Sequence, residues 1–159
     1  MTASGQDREQ IAAVIDTYRR GFATMNVDDL IAIWDQDHDD LVYVAMEEAG
    51  PRRTWKDIEA YYRHALPADP TFHVVAMQVE TLSIGLLEDV AHVLCRFRFE
   101  GEQEGQEDPV IAEGRATFVL HRHRASWKVV HYHESARPPS PERRPSPGPQ
   151  PDGRDDAKS

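Results

Sequence analysis

At 159 residues, 40% of them hydrophobic, the chain can bury one good core and hardly two, so one domain is expected. A formal net charge of −10 argues against nucleic acid or an anionic membrane as partner, since both need a basic patch. The single cysteine, Cys95, excludes an internal disulfide and a thiolate metal cluster; inside an apolar run it reads as a buried, inert thiol. No stretch resembles a signal peptide or reaches membrane-spanning length, so a soluble, cytoplasmic protein is expected.

Residues 1–6 read as a flexible N-terminus. Ile11, Val14, Ile15, Tyr18 and Phe22 recur at helical spacing, which predicts a first helix over Asp7 to Ala23 with Tyr18 on its buried stripe. Asn26 suits an N-cap, and Asp28 and Asp29 suit the first turn of a short second helix burying Leu30, Ile31, Ile33 and Trp34. Asp35 to Asp40 lacks the glycine and the closing glutamate of a calcium loop and reads as a solvated acidic turn.

Leu41 to Met46 reads as a short strand. Thr54 with Asp57 marks the start of a third helix carrying Ile58, Tyr61, Tyr62, Ala65 and Leu66, and Pro67 stops it. Four strands follow: Phe72 to Ile84, Val90 to Glu100, Ile111 to His123 and Trp127 to Ser135, the last two joined by Arg124-Ala125-Ser126 as a hairpin turn. From residue 137 to 159 the chain is proline-rich with hardly any apolar side chains, and a disordered tail is expected.

A three-residue turn sets His121 opposite Val129 and Val119 opposite His131. The odd positions Glu113, Arg115, Thr117, Val119, His121, Trp127, Val129, His131 and His133 then share one face. Ala112, Ala116, Phe118, Leu120, Val130, Tyr132 and Glu134 share the other, which has the half-buried pattern, with Glu134 as its one carboxylate. The odd face is rich in large side chains, which predicts a homodimer through it. His121, His123, His131 and His133 alternate as metal ligands do, but Glu113 is the only carboxylate this register offers them, so they are assigned to the interface and no metal is expected.

The order helix, helix, strand, helix and long antiparallel sheet resembles the cone-shaped α+β roll of nuclear transport factor 2, ketosteroid isomerase and the SnoaL-like polyketide cyclases. The closing Trp127, Val130, His131, His133 and Ser135 resemble the end of the association (hub) domain of calmodulin-dependent kinase II and its bacterial relatives. The resemblance extends over residues 7–136 and implies three helices packed on a curved, mostly antiparallel sheet. It places the hub's pocket histidine on His73 and one pocket arginine on Arg96; the two other pocket arginines are Phe118 and Glu134 here. Tyr18 matches the helix-one tyrosine of ketosteroid isomerase, while the two acids of that enzyme find no match.

The implied pocket suits a neutral, largely apolar small molecule. Glu134, oriented by Arg96, would be its acid/base or polar handle, and Tyr18 would donate to a ligand oxygen. Phe118 and Tyr132 would form the wall, and His73, Trp34 and Tyr62 would join the lining. No cofactor is implied. Two functions follow: an isomerase- or cyclase-type acid/base enzyme of secondary metabolism, or a non-catalytic, hub-like oligomerisation module.

Overall fold

A computed structural model describes residues 5–66 and 69–137. Residues 1–4, Pro67 and the expected tail beyond Arg137 lie outside the described residues. Helix α1 (Gly5–Ala23) buries Ile11, Ile15, Tyr18 and Gly21, one stripe at helical spacing. Helix α2 (Val27–Ala32) is capped by the Asn26 side chain, which accepts the Asp29 N–H, and α3 (Trp55–Ala65) by Thr54, which accepts the Asp57 N–H.

Strands β1 (Val42–Val44), β2 (Phe72–Leu87), β3 (Val90–Gln103), β4 (Val110–His123) and β5 (Ser126–Ala136) form one sheet in the order β1-β5-β4-β3-β2, with only β1 and β5 parallel. Helix α1 packs on both β2 and β5. Two strands lie between those, so the sheet must curl to bring both onto one helix. Register shifts near Val75, Leu82 and Val130 supply the bends. Gly114 is the point of closest approach, where a Cβ would lie 2.2 Å from the Ser135 carbonyl oxygen and 3.0 Å from the Phe97 ring. The α+β roll is thus the expected one, its core between the helices and the concave face. Among the described residues no helix is long and apolar enough to cross a membrane.

The hairpin departs from the expected register in an informative way. Arg124-Ala125 is a two-residue turn with Arg124 at φ 56°, so His123 pairs with Ser126 and His121 with Lys128. Val130 is then an extra residue on β5, because Leu120 pairs with Val129 and Val119 with His131. Shortening the turn by one and inserting one bulge residue cancel beyond Val130, where Tyr132 and Glu134 share the inner face as expected. Before the bulge they do not cancel. Trp127 and Val129, assigned to the outer face, are buried in the core at 2% and 0% exposure. The Trp127 indole N–H donates to Asp7 of α1, and the Arg122 guanidinium lies over its ring.

Candidate functional site

The concave face ends in a cavity of about 320 Å³ whose wall is mostly apolar, with Phe22, Met77, Phe97 and Phe99 among its lining. Its polar groups are Tyr18 from α1, Tyr43 from β1, Tyr61 from α3, Glu134 from β5, and Glu47 at the exposed rim. Each arrives by a local rule. Tyr18 continues the buried stripe of α1. Tyr43 sits in the alternation Leu41, Tyr43, Ala45, all buried, and Glu134 lies two residues past Tyr132 on the same face.

These groups form a connected chain. The Tyr132 hydroxyl donates to Glu134 Oε2 at 2.5 Å, and the Tyr18 and Tyr132 hydroxyl oxygens lie 2.8 Å apart. The Met46 backbone N–H donates to the other Glu134 oxygen at 3.1 Å. A tyrosine has one proton to give. With Glu134 ionised, Tyr132 spends its proton on the carboxylate and Tyr18 must spend its own on Tyr132. With Glu134 protonated the chain can reverse, and the Tyr18 proton is then released toward the cavity. At the rim, Tyr61 donates to the Glu47 carboxylate.

Burial dominates the acidities here. It raises the Glu134 carboxyl, opposed by the Tyr132 and Met46 hydrogen bonds and reinforced by the charge of Glu47. Tyr18, Tyr43 and Tyr132 are held well above the usual phenol range, again first by burial, with the charge of Glu134 adding to it. All are therefore neutral donors and acceptors. Cys95 is fully buried and its thiol is pushed up to about 11, in keeping with an inert core residue.

Of the expected site residues, Tyr18 and Glu134 line the cavity. Tyr132 and Phe118 lie just behind it, fully buried, with the Tyr18 ring edge-on to Phe118 at 5.0 Å. Trp34 and Tyr62 belong to the core, where the indole N–H donates to the Tyr62 hydroxyl at 3.3 Å. Tyr61, the other tyrosine of that helical turn, is the one that lines the cavity.

His73 and Arg96, expected in the pocket, lie outside it. His73 is 61% exposed, 3.6 Å from Glu104, in a separate polar depression. Arg96 alternates with the buried Cys95 and Phe97, so strand parity sends it to the outer face, where it pairs with Glu80. It neither orients Glu134 nor closes the cone. That outer face holds a larger groove, about 650 Å³, lined by Arg96, Arg98, Glu80, Glu113 and Arg115. Its carboxylates are paired with Arg96, Arg98 and Arg137, so it is a charged surface and not a pocket for an apolar molecule.

Two groups escaped the sequence reading. Glu47 at the cavity rim is not among the expected site residues, and Asp35 is expected in a solvated turn. Asp35 is 7% exposed; its carboxylate meets His121 Nε2 at 2.5 Å and His123 Nδ1 at 3.3 Å. The premise that only Glu113 could meet these histidines therefore fails, because the α2–β1 loop folds back onto the hairpin.

The sequence profile of the SnoaL-like domain matches residues 11–139. Among curated proteins no sequence matches. Solved structures share the fold. A chain from Thiobacillus denitrificans, named for the calcium/calmodulin-dependent protein kinase type II association domain, is 23% identical with a TM-score of 0.64, over 80% of this chain and 94% of that one. A ketosteroid isomerase-like protein from Erwinia carotovora atroseptica is 18% identical at TM-score 0.68, over 85% and 99%. A chain from Streptomyces avermitilis, named for a dehydratase of the NTF2-like family, is 15% identical at 0.67, over 84% and 99%.

Proposed function

We propose that this protein, which belongs to the SnoaL-like domain family, takes a small, neutral, largely apolar metabolite into its cone and moves a proton on it, with Glu134 as the acid/base. The observation that carries this reading is the chain Tyr18–Tyr132–Glu134 at the wall of a mostly apolar cavity. A cavity near 320 Å³ lies at the small end of ligand sites and suits a molecule of about two fused rings.

The mechanism follows from the proton arithmetic of the chain. Ionised Glu134, held by Tyr132 and by the Met46 N–H, takes a proton from an activated carbon of the bound molecule. Its raised pKa, set first by burial, makes it a stronger base than a surface glutamate. Once Glu134 is protonated, Tyr132 turns its hydroxyl to Tyr18, and Tyr18 turns its own toward the ligand oxygen that has gained charge. Returning the proton to a neighbouring atom completes an isomerisation; closing a ring or expelling a leaving group gives a cyclisation or dehydration. Tyr18 thus donates to the ligand in only one half of the cycle.

The test uses β-tetralone, a bicyclic ketone, in deuterated buffer. The protein should speed exchange of its α-protons, and Glu134→Gln should abolish the acceleration while leaving the fold intact. Equal exchange with both proteins sinks the reading.

Assembly has its own support. Leu94 and Ile111, 37% and 49% exposed, lie with Val90 on the outer face of the sheet, the face that also carries His131 and His133. We therefore keep the homodimer through that face, now without Trp127 and Val129. A hub-like module would have the same interface but no use for the polar chain in the cone, and native mass spectrometry of the freshly purified protein separates the two by the presence or absence of a bound small molecule.

A further inference from the structure

We propose that Asp35, His121 and His123 bind a divalent transition-metal ion of the zinc class at the turn end of β4, the opposite end of that strand from the cavity. The three side chains offer one oxygen and two imidazole nitrogens, all within 4.8 Å of one another. This donor set suits a borderline-soft ion and not a calcium or magnesium ion, which prefers oxygen alone.

The scaffold fixes the donors from two sides. His121 and His123 are alternate residues on β4 and so project from one face, and the neighbouring two-residue turn pairs them with Lys128 and Ser126 on β5. Asp35 is pinned from the other side: its backbone N–H donates to the Val129 carbonyl at 3.0 Å, and Trp34 bridges to Val129. The Lys128 ammonium, which could have repelled a cation beside His121, is drawn off to the Ala32 carbonyl at 2.7 Å.

Distances fit with one small adjustment. Donors about 2.0–2.1 Å from a tetrahedral zinc ion stand roughly 3.3 Å apart. His123 Nδ1 already stands 3.3 Å from Asp35 Oδ2; His121 Nε2, at 2.5 Å, must withdraw by rotation of its ring. Among the described residues no lysine or arginine pairs with Asp35; the two imidazoles and the Asp37 backbone N–H are what offset the charge of this buried carboxylate. His38 packs its ring edge-on to His121, and its own Nδ1 is taken by the Asp40 N–H. The histidines are 29% and 39% exposed, which leaves the fourth position to water.

The experiment titrates the full-length, tag-free chain, freed of metal by chelator, with Zn²⁺ by calorimetry and with Co²⁺ by visible absorption. One ion per chain is expected, with a four-coordinate Co²⁺ spectrum. Singly, His121→Gln and His123→Gln should each weaken binding by about tenfold or more, the loss that even a partner outside the ligand set produces. His73→Gln, altering an exposed histidine elsewhere, should leave it unchanged. In the wild-type chain, Co²⁺ should shift the imidazole proton resonances of His121 and His123 ahead of all others, a readout that needs no variant. No saturable binding, or binding that both substitutions leave intact, overturns the proposal and leaves Asp35 as a plain hydrogen-bond anchor.

Discussion

Glu134 and Asp35 sit toward opposite ends of the β4–β5 hairpin, and each carboxylate is held by side-chain and backbone donors, yet their acidities move in opposite directions. Glu134 is held by a neutral phenol and a backbone N–H in an apolar cone, so burial wins and its pKa rises. Asp35 is also opposed by burial, but the hydrogen bond from His121 and the charges of His123 and His121 together outweigh it, and its pKa falls. The partner's capacity to carry positive charge decides the sign. One end of the hairpin is therefore suited to accept and return a proton, and the other to remain an anion that a cation can neutralise.

The bulge at Val130 separates the two ends of the hairpin and turns Trp127 inward. Trp127→Ala should cost about 3–5 kcal/mol in urea unfolding, as for a large aromatic removed from a core. An outer-face tryptophan would cost far less, and a loss below about 1 kcal/mol would return Trp127 to the dimer face.

The tyrosine that joins the cone's polar groups comes next. Tyr132→Phe leaves both the Tyr18 hydroxyl and Glu134 short of a partner, and about 1–3 kcal/mol should be lost, with proton exchange on β-tetralone falling in parallel. Stability kept in full would mean that water replaces the hydroxyl and that the chain is not the organising feature of the site.

The pH dependence sharpens the contrast directly. Asp35 has a depressed folded pKa, so its contribution is present above the unfolded value of about 3.9 and disappears as pH falls through the folded one. Asp35→Asn should then cost about 1.5–3 kcal/mol at neutral pH, and the gap to wild type should close on acidification. Glu134 has a raised folded pKa, so its contribution is complete below the unfolded value of about 4.3 and is lost as pH rises through the folded one. Relative to Glu134→Gln, the wild type should become less stable as pH rises from about 4 to 7, the smallest of these effects and opposite in slope. Parallel slopes for the two variants would remove the distinction between the ends.

The elements and the roll were legible in the chain alone, because those rest on local rules: helical spacing from Ile11 to Tyr18, caps at Asn26 and Thr54, and alternation along β3 and β4. So was the placing of Glu134, Tyr132 and Phe118 on the concave face, since strand parity survives beyond the bulge. Tyr43 was equally legible from its alternation with Leu41 and Ala45. Arg96 was legible too, since its neighbours Cys95 and Phe97 have inward parity, and the family resemblance misplaced it. The rest depends on long-range packing. A bulge exchanges one residue for none in the pairing, so no pattern within β5 announces that Trp127 and Val129 turn inward. Asp35 meets His121 and His123 across 86 and 88 positions of chain, through a loop folded onto a strand. Nothing in the local composition of either segment encodes that distance, because it is set by the curl of the sheet and by the backbone bonds that pin the loop to Val129.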